Sequence, residues 1–244
     1  MDKFKAVILA AGKGTRMESD LPKVLHRVNG ETMVHYTIKA AKDAGATEVI
    51  VIVGYQGQLV KHEVVDVVQF AEQHEQLGTG HAVMCARDKI GTNGDVVVLC
   101  GDTPLIRPET IKKLYEKHKR ESNGVTILSA MIDDPTGYGR IVRDEDGNFL
   151  RITEHKDCTE NELKIKEINS GMYVFNAEAL SFSLDKITNN NSQGEYYLTD
   201  TVAVIKSTGL KAGVVVVDDT TEILGVNTKA QLAEAERIMQ ERMK

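Results

Sequence analysis

Short apolar runs alternate with longer segments whose apolar residues are spaced as on one face of a helix. Lys5–Ala10 (KAVILA), Glu48–Val53 (EVIVIV) and Asp95–Cys100 (DVVVLC) are the clearest runs. Runs of this length suit strands buried on both faces of a parallel sheet. Val64–Phe70, Gly124–Met131 and Gly213–Val217 read as further strands, and Leu21–Leu25 as a short extended piece. Between them, Glu31–Ala44 carries Met33, Tyr36, Thr37, Ala40 and Ala41 at helical spacing and stops at Gly45. Gln58–His62 predicts a helical turn, Gly80–Asp88 a helix, and Pro108–Arg120 a helix with proline in its first turn. The alternation through residue 131 predicts an α/β fold, a Rossmann-like and mostly parallel twisted sheet with helices on both faces.

The second half changes style. Arg140–Arg143 and Phe149–Glu154 flank the polar stretch 144–148 and predict a hairpin. Lys166–Phe175 reads as a strand broken at Asn169-Ser170-Gly171, and Ala177–Leu184 and Leu198–Ser207 read as helices. These segments predict a smaller β-rich part beside the main sheet. Thr228–Lys244 predicts a helix with Leu232, Ala235, Ile238 and Met239 along one stripe. It runs to the terminus without a glycine or proline stop, which raises the expectation of a fragment of something longer.

Composition narrows the classes. With 41% hydrophobic residues in 244, the chain can bury one α/β core. A net charge of −6 argues against nucleic acid or an anionic membrane as the main partner. The cations cluster locally, which suits a small anionic ligand. Three distant cysteines in no metal-ligand spacing point to a reducing compartment. No segment approaches the roughly 20 apolar residues of a membrane span. The first apolar run is too short for a signal peptide and flows into a glycine loop. A cytoplasmic location is the expectation.

The candidate chemistry begins in that loop. Ala10-Ala11-Gly12-Lys13-Gly14-Thr15-Arg16 follows a buried strand with two glycines and two cations. Small residues let a ligand approach backbone N–H groups, and such loops at the carboxyl ends of sheet strands hold phosphates. The loop lacks the Walker spacing, and Met17 stands where a dinucleotide fingerprint has its third glycine. A plain surface turn with solvated cations is the alternative. Asp102 follows the strand 95–100 and reads either as a turn acid capping Thr103 or Thr110, or as a magnesium ligand completed by substrate phosphates. Lys23, beside Pro22, reads either as a snorkelling surface lysine or as a point charge on the same phosphates. The polar stretch Gln73–His81 could read a base edge, or be a loop whose Thr79 caps a helix. Asn227 is a candidate neutral oxygen ligand. His155 alone reads as a surface histidine. No nucleophile–histidine constellation stands out, which points to catalysis by positioning and charge neutralisation.

The motifs LAAGKGTRM, LPKVLH, QLGTGHA, GDTPLI, TGYGRIVR, EHKD, EINSGMYVF and GVN together resemble the sugar-1-phosphate nucleotidyltransferases. Within them, they are most similar to the amino-terminal uridylyltransferase domain of the bacterial bifunctional enzymes that make UDP-N-acetylglucosamine. The resemblance runs from Phe4 to about Asn227. The first motif is shared across the class, whereas QLGTGHA with EHKD and EINSG narrows the match. It implies transfer of UMP from UTP to N-acetylglucosamine-1-phosphate, giving UDP-N-acetylglucosamine, a cell-wall precursor, and pyrophosphate. Leu9, Ala10, Ala11 and Gly12 with Gln73, Gly78 and Thr79 would hold the uridine. Lys13, Gly14 and Arg16 would hold the triphosphate, with Lys23 near the α-phosphate. Asp102 and Asn227 would bind Mg2+, making Arg16, Lys23 and Asp102 the catalytic set. Gly139, Glu154 and Asn169 would contact the sugar, with Gly101, Tyr197 and Asn227 beside it. Cys100 lines the same pocket where some members have tyrosine. The resemblance also implies a catalytic domain over 1–227 and a linker helix over 228–244. The left-handed β-helix acetyltransferase domain that follows in the family is absent from this chain. Full-length members would be homotrimers, and this fragment, without that interface, is free to be monomeric. The competing readings are a transferase for another nucleotide and hexose-1-phosphate, such as dTTP or GTP, and a nucleotide-sugar binding module without catalysis.

Overall fold

A computed structural model of the protein describes residues 3–243. The first strand, β1 (Phe4–Ala10), is followed by the glycine loop, a small antiparallel pair β2 (Arg27–Val28) and β3 (Glu31–Thr32), and helix α1 (Met33–Ala44). Next come β4 (Ala46–Val53), α2 (Gly57–Glu63), β5 (Gln69–Glu72), α3 (Thr79–Cys85), α4 (Arg87–Ile90) and β6 (Asp95–Cys100). Helix α5 (Pro108–Glu121) leads to β7 (Val125–Met131), then to the hairpin of β8 (Arg140–Arg143) and β9 (Phe149–Thr153). The chain closes with β10 (Glu167–Asn176), α6 (Ala177–Leu184), α7 (Asp200–Ser207), β11 (Ala212–Val216) and α8 (Lys229–Arg242).

One sheet runs in the order β11-β7-β10-β6-β1-β4-β5, with the hairpin joined to β10 through β8. Every neighbouring pair along that path is parallel except the two made by β10. The predicted α/β architecture is therefore the observed one. The continuous apolar runs follow from burial on two faces. Ala6, Ile8, Val97 and Leu99 pack with Val34 and Ile38 of α1 and Leu114 of α5. Val7, Val96 and Val98 turn to the opposite face, against Ala82 and Val83 of α3, Leu180 of α6 and Val202 of α7. Helix α8 lies on a third, smaller cluster, where Ala235 and Ile238 pack with Val28, Met33 and Leu105. Its Arg242 ties back to Leu105 O and Asp219.

Several boundaries differ from the sequence reading. The expected strand 64–70 is only β5, because residues 64–68 are held as a loop by Asp66. Its carboxylate accepts from Lys42 Nζ at 2.9 Å and lies 3.0 Å from His35 Nδ1. Val65 and Val67 consequently face solvent. The helix expected over 80–88 breaks at Ala86 into α3 and α4. The helix expected from Glu31 starts at Met33, since Glu31 and Thr32 pair with β2. Leu21–Leu25 is not extended: Lys23–Leu25 forms a 3-10 turn closed by Leu25 N donating to Pro22 O. The polar stretch at Asn169 does not break β10; it makes a bulge, where the register against β7 shifts between Asn169 and Tyr173. Leu198 and Thr199 precede α7 rather than starting it. Lys244, the expected end of the last helix, lies outside the described residues. Among the described residues no helix is long and apolar enough to cross a membrane.

At the amino edge of β6, Asp95 is buried and accepts from Lys119 Nζ at 2.8 Å and Tyr115 Oη at 3.2 Å, with His118 Nε2 at 3.5 Å. Burial alone would push its carboxyl up. The hydrogen bonds from His118 and Lys119 and the positive charge beside it outweigh burial and hold it at about 2. Its stabilising effect is therefore complete above the ordinary carboxyl value and is lost as pH falls through about 2. Asp95→Asn is expected to lower stability by about 2 kcal/mol at neutral pH. The gap to the parent should shrink as pH falls from 3.8 towards about 2, as urea denaturation at several pH values would measure.

Candidate active site

Parallel strands direct their carboxyl ends to one edge of the sheet, and the loops leaving β1, β5 and β6 meet there. They enclose a cleft of about 330 Å³. Leu9, Ala10, Ala11 and Gly12 form one side, Gln73, Gly78 and Thr79 the other, and Lys23, Cys100 and Asp102 its end. Gln73 is buried, and its Nε2 donates to Gly78 O at 3.0 Å, which fixes the amide's direction. Thr79 does not cap α3. Its Oγ1 accepts from Leu198 N at 3.1 Å, tying the 73–79 loop to the second half of the chain. Gly78, at φ +104°, sits so close to Tyr196 O that a Cβ would stand 2.6 Å from it.

A second cavity of about 190 Å³ adjoins the first and shares Leu9, Thr79 and Cys100 with it. Gly139 on the approach to β8, Glu154 after β9 and Asn169 in the β10 bulge line it. Glu154 Oε1 accepts from Thr199 Oγ1 at 2.9 Å. Burial raises the Glu154 carboxyl, and the nearby Asp200, Asp157 and Glu195 add to the rise, opposed by the Thr199 hydrogen bond. Asn169 Nδ2 donates to Tyr173 Oη at 2.7 Å. Burial pushes the Cys100 thiol up to about 12, so it stays protonated and unreactive.

The cations meet at the rim of the cleft. Lys23 Nζ forms an ion pair with Asp102 Oδ2 and donates to Asn227 Oδ1 at 2.8 Å. Arg16 donates to the same Asn227 oxygen at 2.9 Å. Four residues from three distant parts of the chain thus bind one another at the mouth of the glycine loop. Asp102 caps no threonine, and Lys23 is not a snorkelling surface chain. Lys13 lies over the Tyr55 ring at 5.3 Å. Gly101 lies under Leu9 O. Tyr197 does not line the sugar-side cavity: its hydroxyl donates to Asp157 and accepts from Gln193, while Leu198 and Thr199 supply that wall. Asn227 joins the cationic cluster rather than that wall. Gln76 and Glu195 in the first cavity and Tyr138, Gly171 and Thr199 in the second lie within stretches that the sequence marked, at 73–81, 136–143, 169–171 and 195–200, without being singled out as site residues. The Gly137-Tyr138-Gly139 stretch is the signal for Tyr138, and the resemblance of Glu195–Asp200 to a family segment that borders the sugar is the signal for Glu195 and Thr199.

A larger cavity, about 650 Å³, opens at the opposite edge of the sheet beside Asp95, His118 and Phe182. It holds no glycine-rich loop at a strand's carboxyl end, and its carboxylate is engaged by Tyr115, His118 and Lys119.

Residues 6–145 match the family of the MobA-like NTP transferase domain. The chain belongs to that family. It is also 52% identical over 243 residues to the bifunctional protein GlmU of Caldanaerobacter subterraneus subsp. tengcongensis, covering all of this chain and 53% of that protein. The GlmU of Clostridioides difficile is 48% identical over 240 residues, covering 98% of this chain and 52% of the relative. The chain therefore spans about half the length of the curated relatives it matches, and the match fits the amino-terminal domain of the GlmU proteins. Among solved structures, a UDP-glucose pyrophosphorylase complexed with UDP-glucose superposes with TM-score 0.79 at 15% identity, covering 98% of this chain and 99% of that one. A Bacillus anthracis protein assigned as a glucose-1-phosphate thymidylyltransferase, with bound sucrose, gives TM-score 0.77 at 20% identity, with 98% and 96% coverage. These two likenesses are of fold.

Membership of an NTP transferase family implies a divalent metal. The donor set suits one. A carboxylate oxygen of Asp102 and an amide oxygen of Asn227 converge on the Lys23 ammonium, and Arg16 also donates to the Asn227 oxygen. Both are hard oxygen donors, and phosphates can complete such a shell. Among the described residues no group of three or more acidic, histidine or cysteine side chains forms a closed metal cage.

The glycine loop depends on one left-handed residue. Gly14 has φ +65°, and a Cβ there would stand 2.5 Å from Lys23 Cβ. Gly14→Ala is expected to cost about 2 kcal/mol through backbone strain and collision. That is a melting temperature lower by roughly 4–8 °C, readable by calorimetry.

Proposed function

We propose that this chain transfers UMP from UTP to N-acetylglucosamine-1-phosphate, giving UDP-N-acetylglucosamine and pyrophosphate. The observation that carries this reading is the pair of joined cavities, one beside a glycine loop and buried amide, the other lined by an acid and an asparagine. They meet at Leu9, Thr79 and Cys100, beside the Lys23–Asp102 pair. A nucleotide in the first and a sugar phosphate in the second would bring their phosphates together there. The similarity to GlmU proteins along the whole chain supports the same substrates, and peptidoglycan precursor synthesis as the setting.

In this reading the base lies against Leu9–Gly12, read by Gln73 and the backbone at Gly78. The loop amides with Lys13 and Arg16 hold the β- and γ-phosphates, and Lys23 neutralises the α-phosphate. Glu154, Asn169 and the Gly139 backbone orient the sugar so that its phosphate oxygen stands in line with the α-phosphorus. The oxygen attacks, the bond to the pyrophosphate oxygen breaks, and no covalent enzyme intermediate forms. The neutral Cys100 thiol is consistent with that. Alignment of two bound reactants can contribute roughly 7–11 kcal/mol. Asp102 and Asn227 would hold Mg2+, which when bound supplies charge neutralisation for the two phosphates and the departing pyrophosphate. Residues 1–227 would form the catalytic unit, with 228–244 as a linker helix towards an acetyltransferase domain of a longer, trimeric and cytoplasmic protein.

Asp102→Ala is expected to lower turnover at least about a hundredfold while leaving the melting transition cooperative. Pyrophosphate release across UTP, dTTP and GTP, each with N-acetylglucosamine-1-phosphate and glucose-1-phosphate, tests the substrates. UTP with the acetylated sugar should lead, and another pair leading would overturn the assignment.

A further inference from the structure

In this structure the two oxygens suited to a divalent cation already share a cation of the protein's own. Lys23 Nζ binds Asp102 Oδ2 and Asn227 Oδ1 together. Both charged side chains are mostly removed from solvent, with 15% and 20% of their areas exposed. A carboxylate in such a setting is costly without a partner, so the ammonium keeps it satisfied. A metal ion sits about 2.0–2.1 Å from its oxygens in an octahedral Mg2+ site. It cannot share the same pair of oxygens with an ammonium without strong like-charge repulsion.

The backbone under Lys23 is fixed, and its side chain is the part able to move. Val24 and Leu25 of the same 3-10 turn are buried at 3% and 2% exposure. The lysine stem runs along Gly14, so its head lies within reach of phosphates held by the glycine loop. Rotation about side-chain bonds would carry the ammonium from the carboxylate to a phosphate oxygen, exchanging one anionic partner for another.

We propose that Lys23 is a resident counter-ion: it occupies the metal position in the free protein and leaves it when a nucleoside triphosphate enters, so that the divalent cation binds with or after the nucleotide. The proposal rests on the nucleotidyl-transfer reading for the ligand that draws Lys23 away, but its exchange with metal is measurable without any reaction.

The test is Mn2+ binding to the substrate-free protein, read from the electron paramagnetic resonance signal of free Mn2+. Lys23→Met should bind Mn2+ at least tenfold more tightly than the parent. Lys13→Met removes a cation from the same loop without freeing an oxygen of Asp102 or Asn227, and should stay within twofold. The double variant Lys23→Met/Asp102→Asn should lose the gain, which locates the metal at Asp102. Equal affinity of the parent and Lys23→Met would overturn the exchange. So would a like gain in both lysine variants, since that is a general field effect. A Mn2+-soaked crystal with metal on Asp102 while Lys23 Nζ still bonds both oxygens would overturn it as well. An active uridylyltransferase with unchanged Mn2+ affinity in Lys23→Met fails the exchange alone. An inactive chain with the tenfold gain fails the substrate assignment alone.

Discussion

Burial of the central strands on both faces is the constraint from which the rest follows. Ala6 and Ile8 of β1 point into one core and Val7 into the other, and β6 alternates in the same way. A one-residue slip of either strand would exchange the two sets and leave neither helix layer matched. With the register fixed, the chain can turn only beyond Ala10 and Cys100, so the glycine loop and Asp102 emerge side by side. The precision of the site is thus set by apolar packing several residues behind it.

Electrostatics then divides the labour along the trough. The first cavity sets amides beside the Lys23 ammonium, a setting for polyphosphate. The second has a half-buried acid and a buried asparagine, groups that exchange hydrogen bonds with hydroxyls. Between them stands a protonated thiol, too weak an acid to serve as a nucleophile near neutrality. The chain offers charge and direction and no covalent partner, which is sufficient for phosphorus chemistry in which substrate oxygens do the attacking.

The fold was legible because its signals are local. The runs at 5–10, 48–53 and 95–100 could hardly be anything but interior strands, and Gly45 and Pro108 punctuate their helices. The strand expected at 64–70 failed for a reason no local window holds. Asp66 reaches across to α1, and that long-range tie overrides the β-branched composition around it. In the site, Lys23 and Asp102 were legible as residues and invisible as a pair, since 79 positions separate them. The resemblance put Tyr197 beside the sugar, yet its hydroxyl serves Asp157, and the neighbouring Thr199 reaches Glu154 instead. Which of two adjacent side chains faces a cavity depends on the packing of the turn that carries them.

The reversed course of β10 has a consequence for how stiff the sugar side is. Strands β1, β5, β6 and β7 lend the trough the loops beyond their last residues. Strand β10 runs against β6 and β7, so its opening residues arrive at that edge, and Asn169 lies within the ladder itself. Backbone bonds to β7 and β8 flank this residue, and its own N–H donates to Gly139 O. A wall woven into the fabric in this way has little freedom to adapt. Discrimination among hexoses would then come from a mould that exists beforehand, while any adjustment to the guest would fall to the lysine head across the way.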